Sequence, residues 1–130
     1  MIQIYNKRAK FDYEFLRKYD AGIILTGMEV KSIRNHIGVS FNGAYCFIQN
    51  NEIYVNGLTI LNNTRYKLLL KKREIKRLSS ELIKGTTIVP YRLFEQENGR
   101  FKLEIQLARG KNTYDKRETI KERDLARDTI

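Results

Sequence analysis

Tryptophan is absent from these 130 residues, and proline, cysteine and histidine occur once each, as Pro90, Cys46 and His36. A single thiol cannot close an internal disulfide. Cys46 lies in the alternating stretch AYCFIQ, which predicts a buried strand position and neither a secreted framework nor redox work. A lone histidine with no second histidine or cysteine at ligand spacing makes no zinc site, so His36, in a short basic loop, reads as a solvated surface group. One proline and eight glycines among 42% hydrophobic residues exclude a disordered chain and fit one compact domain. No apolar run approaches the roughly 18 residues of a membrane-spanning helix, and MIQIYNKRAK lacks the apolar stretch of a signal peptide. The expectation is a cytoplasmic protein with no membrane partner. Nucleophile-elbow, phosphate-loop and H-E-x-x-H patterns are missing as well. Asp12, Asp20 and Glu29, the acids a hydrolase could use, are each explained by solvation, ion pairing or capping, so no enzyme, cofactor or metal is expected.

Acid is scarce relative to base: 15 Asp and Glu against 25 Lys and Arg give a net charge of +10 and a pI near 9.8. More than half of that excess sits in RYKLLLKKREIKR, where Arg65, Lys67, Lys71, Lys72, Arg73, Lys76 and Arg77 face only Glu74. Concentrated positive charge attracts phosphates and repels itself, so nucleic acid is the first partner to consider. A pI this high without a basic amphipathic helix at a terminus favours RNA or DNA over a lipid surface. Eight tyrosines and six phenylalanines supply stacking faces. The plain alternative for the basic run is a solvated helix face.

Periodicity gives the elements. Phe11, Tyr13 and Phe15 alternate, and with GIILTG after Asp20 they predict one or two strands. Thr26 and Glu29 have capping-box spacing, so a short helix is expected from Met28 to about Asn35. Residues 43 to 49 and 52 to 58 alternate around Asn50-Asn51, which predicts a tight hairpin. Ile75, Leu78 and Leu82 recur at steps of three and four, giving a basic amphipathic helix from Lys71 that Gly85 is placed to end. TTIVPYRLF and RFKLEIQLA predict a second hairpin turning at Asn98-Gly99, with Pro90 at an edge or bulge. The fold class is mainly β: a small OB-like antiparallel barrel with about three added helices over residues 1–110. Residues 111–130 mix six bases with five acids and read as a tail segment, frayed or helical on binding.

Ordered motifs then carry a resemblance. Asn6-Lys7-Arg8-Ala9-Lys10, Asp20-Ala21-Gly22 with Leu25-Thr26-Gly27 and Glu29-Val30-Lys31-Ser32, Lys67-Leu68-Leu69-Leu70 with Arg73-Glu74-Ile75, and Ala108-Arg109-Gly110-Lys111 with Tyr114-Asp115-Lys116-Arg117-Glu118 resemble the SsrA-binding, or SmpB, family along nearly the whole chain. Phe11 stands where that family usually has histidine, and the connection from Ile60 to Lys67 is shorter than the family pattern.

The resemblance implies an adaptor that binds the tRNA-like part of transfer-messenger RNA and delivers it to stalled ribosomes for trans-translation. Implied partners are that RNA, the decoding region of the small ribosomal subunit, and elongation factor Tu reached through the RNA, with the protein a monomer. By likeness Asn6, Asp20, Leu69 and Lys102 take RNA-contacting positions. Lys7, Arg8, Lys10, Lys67, Lys71, Lys72, Arg109 and Lys111 complete the expected RNA-binding set, among which Lys7, Arg8 and Lys67, like Lys102, can pair phosphates on residue chemistry, and by likeness Asp115, Lys116 and Arg117 form a decoding-site block. On residue chemistry alone Asn6 can bond a base or sugar edge, Asp20 can orient a base donor or an arginine, and Leu69 reads first as core. The segment Asn6–Lys10 is as readily a flexible basic arm, and Asp115 can be a simple N-cap. The cations are expected to form one continuous face. The alternative function is a ribosomal-protein-like or general OB-type RNA-binding module; a small magnesium nuclease using Asp20 and Glu29 is a third class.

Overall fold

The computed structural model describes residues 1–111. Strands and helices follow in the order β1 (Gln3–Tyr5), α1 (Lys7–Asp12), β2 (Tyr13–Ile23), α2 (Gly27–Arg34), β3 (Val39–Gln49), β4 (Glu52–Ile60), β5 (Asn63–Leu69), α3 (Lys72–Glu81), β6 (Thr86–Glu95) and β7 (Phe101–Gly110). All pairings are antiparallel, in the order β1-β6-β3-β4-β5-β2-β7, and β7 returns to β6. Six strands therefore close on themselves, which removes the free edges that invite aggregation. The expected small antiparallel barrel with three helices is what forms.

β1 and β3 share one edge of β6, with Cys46 of β3 opposite Ile88 and β1 opposite Arg92 to Phe94. Pro90 sits between those stretches, where the β6–β7 register also shifts, so its missing N–H breaks no regular ladder. Asn50 and Asn51 both take positive φ, at 52° and 61°, as the tight β3–β4 hairpin requires. Gly57 at φ +89° faces the β3 bulge, where an added Cβ would lie 2.8 Å from the Ala44 Cα. The alternating apolar residues Leu103, Ile105 and Leu107 point inward with Ile53, Val55, Leu58 and Leu68 to fill the barrel. Buried in that core, the Cys46 thiol has its pKa pushed up by desolvation.

Helix α2 starts where its capping box places it: Thr26 accepts from the Glu29 amide at 3.2 Å, and the Glu29 carboxylate accepts from the Thr26 amide at 2.8 Å. Helix α3 packs Ile75 and Leu78 into the core and stops at Glu81, short of Gly85. Thr86 ends it, its hydroxyl accepting from the Ile83 amide at 2.9 Å and donating to the Ile83 carbonyl at 2.8 Å. Leu82, expected on the apolar stripe, falls after that stop and is exposed.

The N-terminal expectations need correction. Phe11 belongs to a helix and not to a strand, and Asn6–Lys10 is no flexible arm: Lys7 to Asp12 form α1. The alternation of Phe11, Tyr13 and Phe15 crosses the junction between α1 and β2, and β2 runs unbroken through Asp20.

Candidate nucleic-acid interface

Three strands bring the first group of predicted residues together. Gly22 on β2 is the register partner of both Leu69 on β5 and Lys102 on β7, so the three form one row on the outer face. A Cβ on Gly22 would meet the Leu69 Cβ at 3.2 Å, tighter than ordinary contact, so glycine lets β5 approach. The row floors an open groove of about 680 Å³, also lined by Leu25, Asn98 and Arg100. Leu69 is 51% exposed, which overturns its expected place in the core: parity turns Leu68 inward and Leu69 outward. An exposed leucine beside a lysine offers a base face and a phosphate partner at once.

Asp20 lies on the same face two residues back, opposite Glu104, with Lys18 3.9 Å away. Its ion-pair partner is thus a lysine on its own strand and not an arginine, one of the two partners read for it from the sequence. Glu29 has one oxygen on the Thr26 amide and the other on the Tyr66 hydroxyl. Glu29 is buried and works as a helix cap, whereas Asp20 is exposed on the outer face of β2, so the two acids occupy different environments and not one open site.

The basic run continues from the groove into α3. Lys71, Lys72, Arg73 and Lys76 are exposed, and no ion pair joins them to an acid among the described residues. Glu74 turns back to accept the Lys71 amide at 2.9 Å; since a lysine side chain has no acceptor, this is only half of a reciprocal cap. Arg77 is drawn toward Glu81, which also takes Arg17 of β2 at 3.0 Å. Lys67 pairs with Glu52, whose hydrogen bond raises the lysine pKa above its usual value.

The second group sits elsewhere. Lys7, Arg8 and Lys10 lie exposed on α1, and Lys111 joins them, its amide on the Asp12 carbonyl at 2.9 Å and its ammonium on the Lys10 carbonyl at 3.2 Å. Arg109, on β7, lies 4.0 Å from Glu14. From Glu14 to Gly22 is eight residue steps along β2, about 26 Å of strand. The cations therefore do not form the single cluster expected: one group lines the groove and α3, the other gathers where α1 meets the end of β7. Asn6 is 8% exposed and its amide donates to the Pro90 carbonyl at 2.9 Å, so it clamps α1 to β6. Arg8 pairs with Asp12 at 3.0 Å and lies over the Phe11 ring at 5.1 Å. Asp115, Lys116 and Arg117 lie outside the described residues.

Sequence reasoning missed one buried partner. Tyr66, whose alternation with Leu68 could have marked it as inward, supports the Glu29 carboxylate behind α2, and burial followed by that hydrogen bond raises its phenol pKa.

A closed barrel with a leucine-lysine groove and a row of exposed helix cations is a small basic module of the nucleic-acid-binding class. The SmpB protein family pattern matches residues 3–130. Similar curated proteins are the SsrA-binding proteins of Cytophaga hutchinsonii, 44% identical over 98% of this chain and 90% of that protein, and of Flavobacterium psychrophilum, 46% identical over 98% and 92%. A chain of the solved structure called "tmRNA-SmpB: a journey to the center of the bacterial ribosome" is similar with a TM-score of 0.71 and 37% identity, over 85% of each chain. The chain belongs to the SmpB family of SsrA-binding proteins.

The first alignment runs over 141 positions against 130 residues here, so the relative carries residues this chain lacks. The turn of only Leu61 and Asn62 between β4 and β5 agrees with the short connection read from the sequence.

Proposed function

We propose that this protein is the RNA-binding adaptor of trans-translation: it grips the tRNA-like part of transfer-messenger RNA and carries it to stalled ribosomes. The observation that carries this reading is family membership over nearly the full chain together with the row Leu69, Gly22, Lys102 beside the free cations of α3. In this reading Leu69 packs on an exposed base or ribose. Lys102, Lys67, Lys71 and Lys72 hold phosphates, and Asp20 orients a base donor beside the groove. The α1 group of Lys7, Arg8 and Lys10, with Arg109 and Lys111, meets a separate stretch of backbone, with Asn6 fixing its position. Asp115, Lys116 and Arg117 reach the decoding region of the small subunit. The protein works as a monomer in the cytoplasm, makes no bonds of its own, and meets elongation factor Tu only through the aminoacylated RNA.

Competition binding tests this. The expected outcome is tight binding of the tRNA-like fold of transfer-messenger RNA, with ordinary tRNA a much weaker competitor. Equal affinity for both would favour a general OB-type RNA-binding module instead.

A further inference from the structure

One row of residues along β5 from the groove, the outer face of β3, β4 and β5 carries three aromatic rings in contact. Phe47 and Tyr54 are register partners and stack with centroids 5.5 Å apart and planes 22° from parallel. Tyr45 lies 6.1 Å from Phe47, and the Arg65 guanidinium sits 5.0 Å over the Phe47 ring. Tyr45 is 45% exposed, Arg65 is exposed, and Lys67 is the register partner of Tyr54. The inward positions of these strands, Cys46, Val55, Tyr66 and Leu68, already supply the core. Cross-strand pairing accounts for Phe47 against Tyr54. It gives no reason for an arginine plane laid on that pair or for a tyrosine left open beside it.

Exposed rings with a guanidinium plane are the chemistry that takes unpaired bases, because every base has a π-face while its backbone needs cations alongside. A paired A-form helix hides its base faces, so the occupant is single-stranded RNA. With Lys67 paired to Glu52, Arg65 leaves the patch the positive sign that a phosphate backbone requires.

We infer that the outer face of β3, β4 and β5 is a second RNA contact, where unpaired bases of a single-stranded segment extend the stack at Tyr45 and Tyr54 while Arg65 holds the adjacent phosphate. The contact goes beyond the adaptor reading: it needs no tRNA-like fold and uses neither Leu69 nor Lys102.

The test is titration of the full chain with a short unstructured pyrimidine RNA, followed by tyrosine fluorescence, which no tryptophan obscures. Phe47→Ser combined with Tyr54→Ser is expected to raise Kd about tenfold. Tyr45→Ala and Arg65→Ala, at exposed positions that leave folding intact, each raise it severalfold. Binding of the tRNA-like RNA stays within about twofold for these variants, whereas Leu69→Ala weakens that RNA and spares the unstructured one. The inference falls if the unstructured RNA does not quench tyrosine fluorescence. It falls equally if Tyr45→Ala and Arg65→Ala leave its affinity unchanged, or if heparin binding drops in parallel with RNA, which would mean charge alone. Loss of tRNA-like binding in the groove variant would still support the adaptor reading.

Discussion

Tyr66 of β5 donates its phenol hydrogen to the Glu29 carboxylate of α2, and the other oxygen of that carboxylate accepts the Thr26 amide at 2.8 Å. One buried acid thus ties the start of a helix to the barrel wall. Removing the phenol strands a buried carboxylate, so Tyr66→Phe is expected to cost about 1–3 kcal/mol in urea denaturation.

The same residue sets an alkaline limit. Burial, and then the bond to Glu29, raise the Tyr66 pKa above its ordinary value of 10.0 in the folded protein. The unfolded chain therefore releases the proton first, and stability present below pH 10 falls as pH rises beyond it. Tyr19, raised by burial and then by Glu81, adds to the fall. Denaturation followed across alkaline pH should show a shallower loss in Tyr66→Phe than in the parent.

Leu69 separates binding from folding. Because its side chain lies outside the barrel, Leu69→Ala is expected to shift stability by no more than about 0.5 kcal/mol. In the same variant, affinity for the tRNA-like RNA should fall about fivefold, the effect of losing roughly 1 kcal/mol of apolar contact.

Salt dependence counts the cations. If Lys67, Lys71, Lys72, Arg73, Lys76 and Lys102 each neutralise one phosphate, log affinity drops by about 4–5 for each tenfold rise in salt. Lys72→Ala with Lys76→Ala should flatten that slope by about 2. An unchanged slope would assign those charges to solvation.

For the decoding block, Lys116→Ala with Arg117→Ala is expected to keep RNA affinity and abolish tagging on stalled ribosomes, read by a translation assay on a messenger without a stop codon. Loss of RNA affinity in this double variant would move those residues to the RNA interface.

At the β3 bulge, Gly57→Ala should destabilise the barrel by at least about 1–3 kcal/mol, since alanine must take a left-handed backbone and meets the Ala44 Cα as well. Thermal unfolding measures it.

Local chemistry was readable wherever one residue type forces one geometry. Asn50-Asn51 set the hairpin, Thr26 with Glu29 set the helix start, and Pro90 marked the break in β6. Helix α1 was not readable, because six residues are too few to repeat a helical period. Leu69 was hidden for another reason: three leucines in a row have no alternation, and only the pairing of Leu68 with Ile53 and Ile23 decides which one faces in. The parting of the cations into two groups lies further still from the sequence, since it follows from the path of β2 and the return of β7 to α1. The aromatic patch left only alternation as its trace, a pattern that any half-buried strand shares.

Two seams of the barrel are short: β2 and β5 share two register pairs, Gly22 with Leu69 and Ile23 with Leu68, and β3 and β6 share one, where β2 and β7 share nine. The β2–β5 seam coincides with the groove. Anything gripping Leu69 on one lip and Lys102 beyond the other spans it, so RNA bound there would also hold that seam together, slowing amide exchange in β5 and lifting the melting temperature together with affinity.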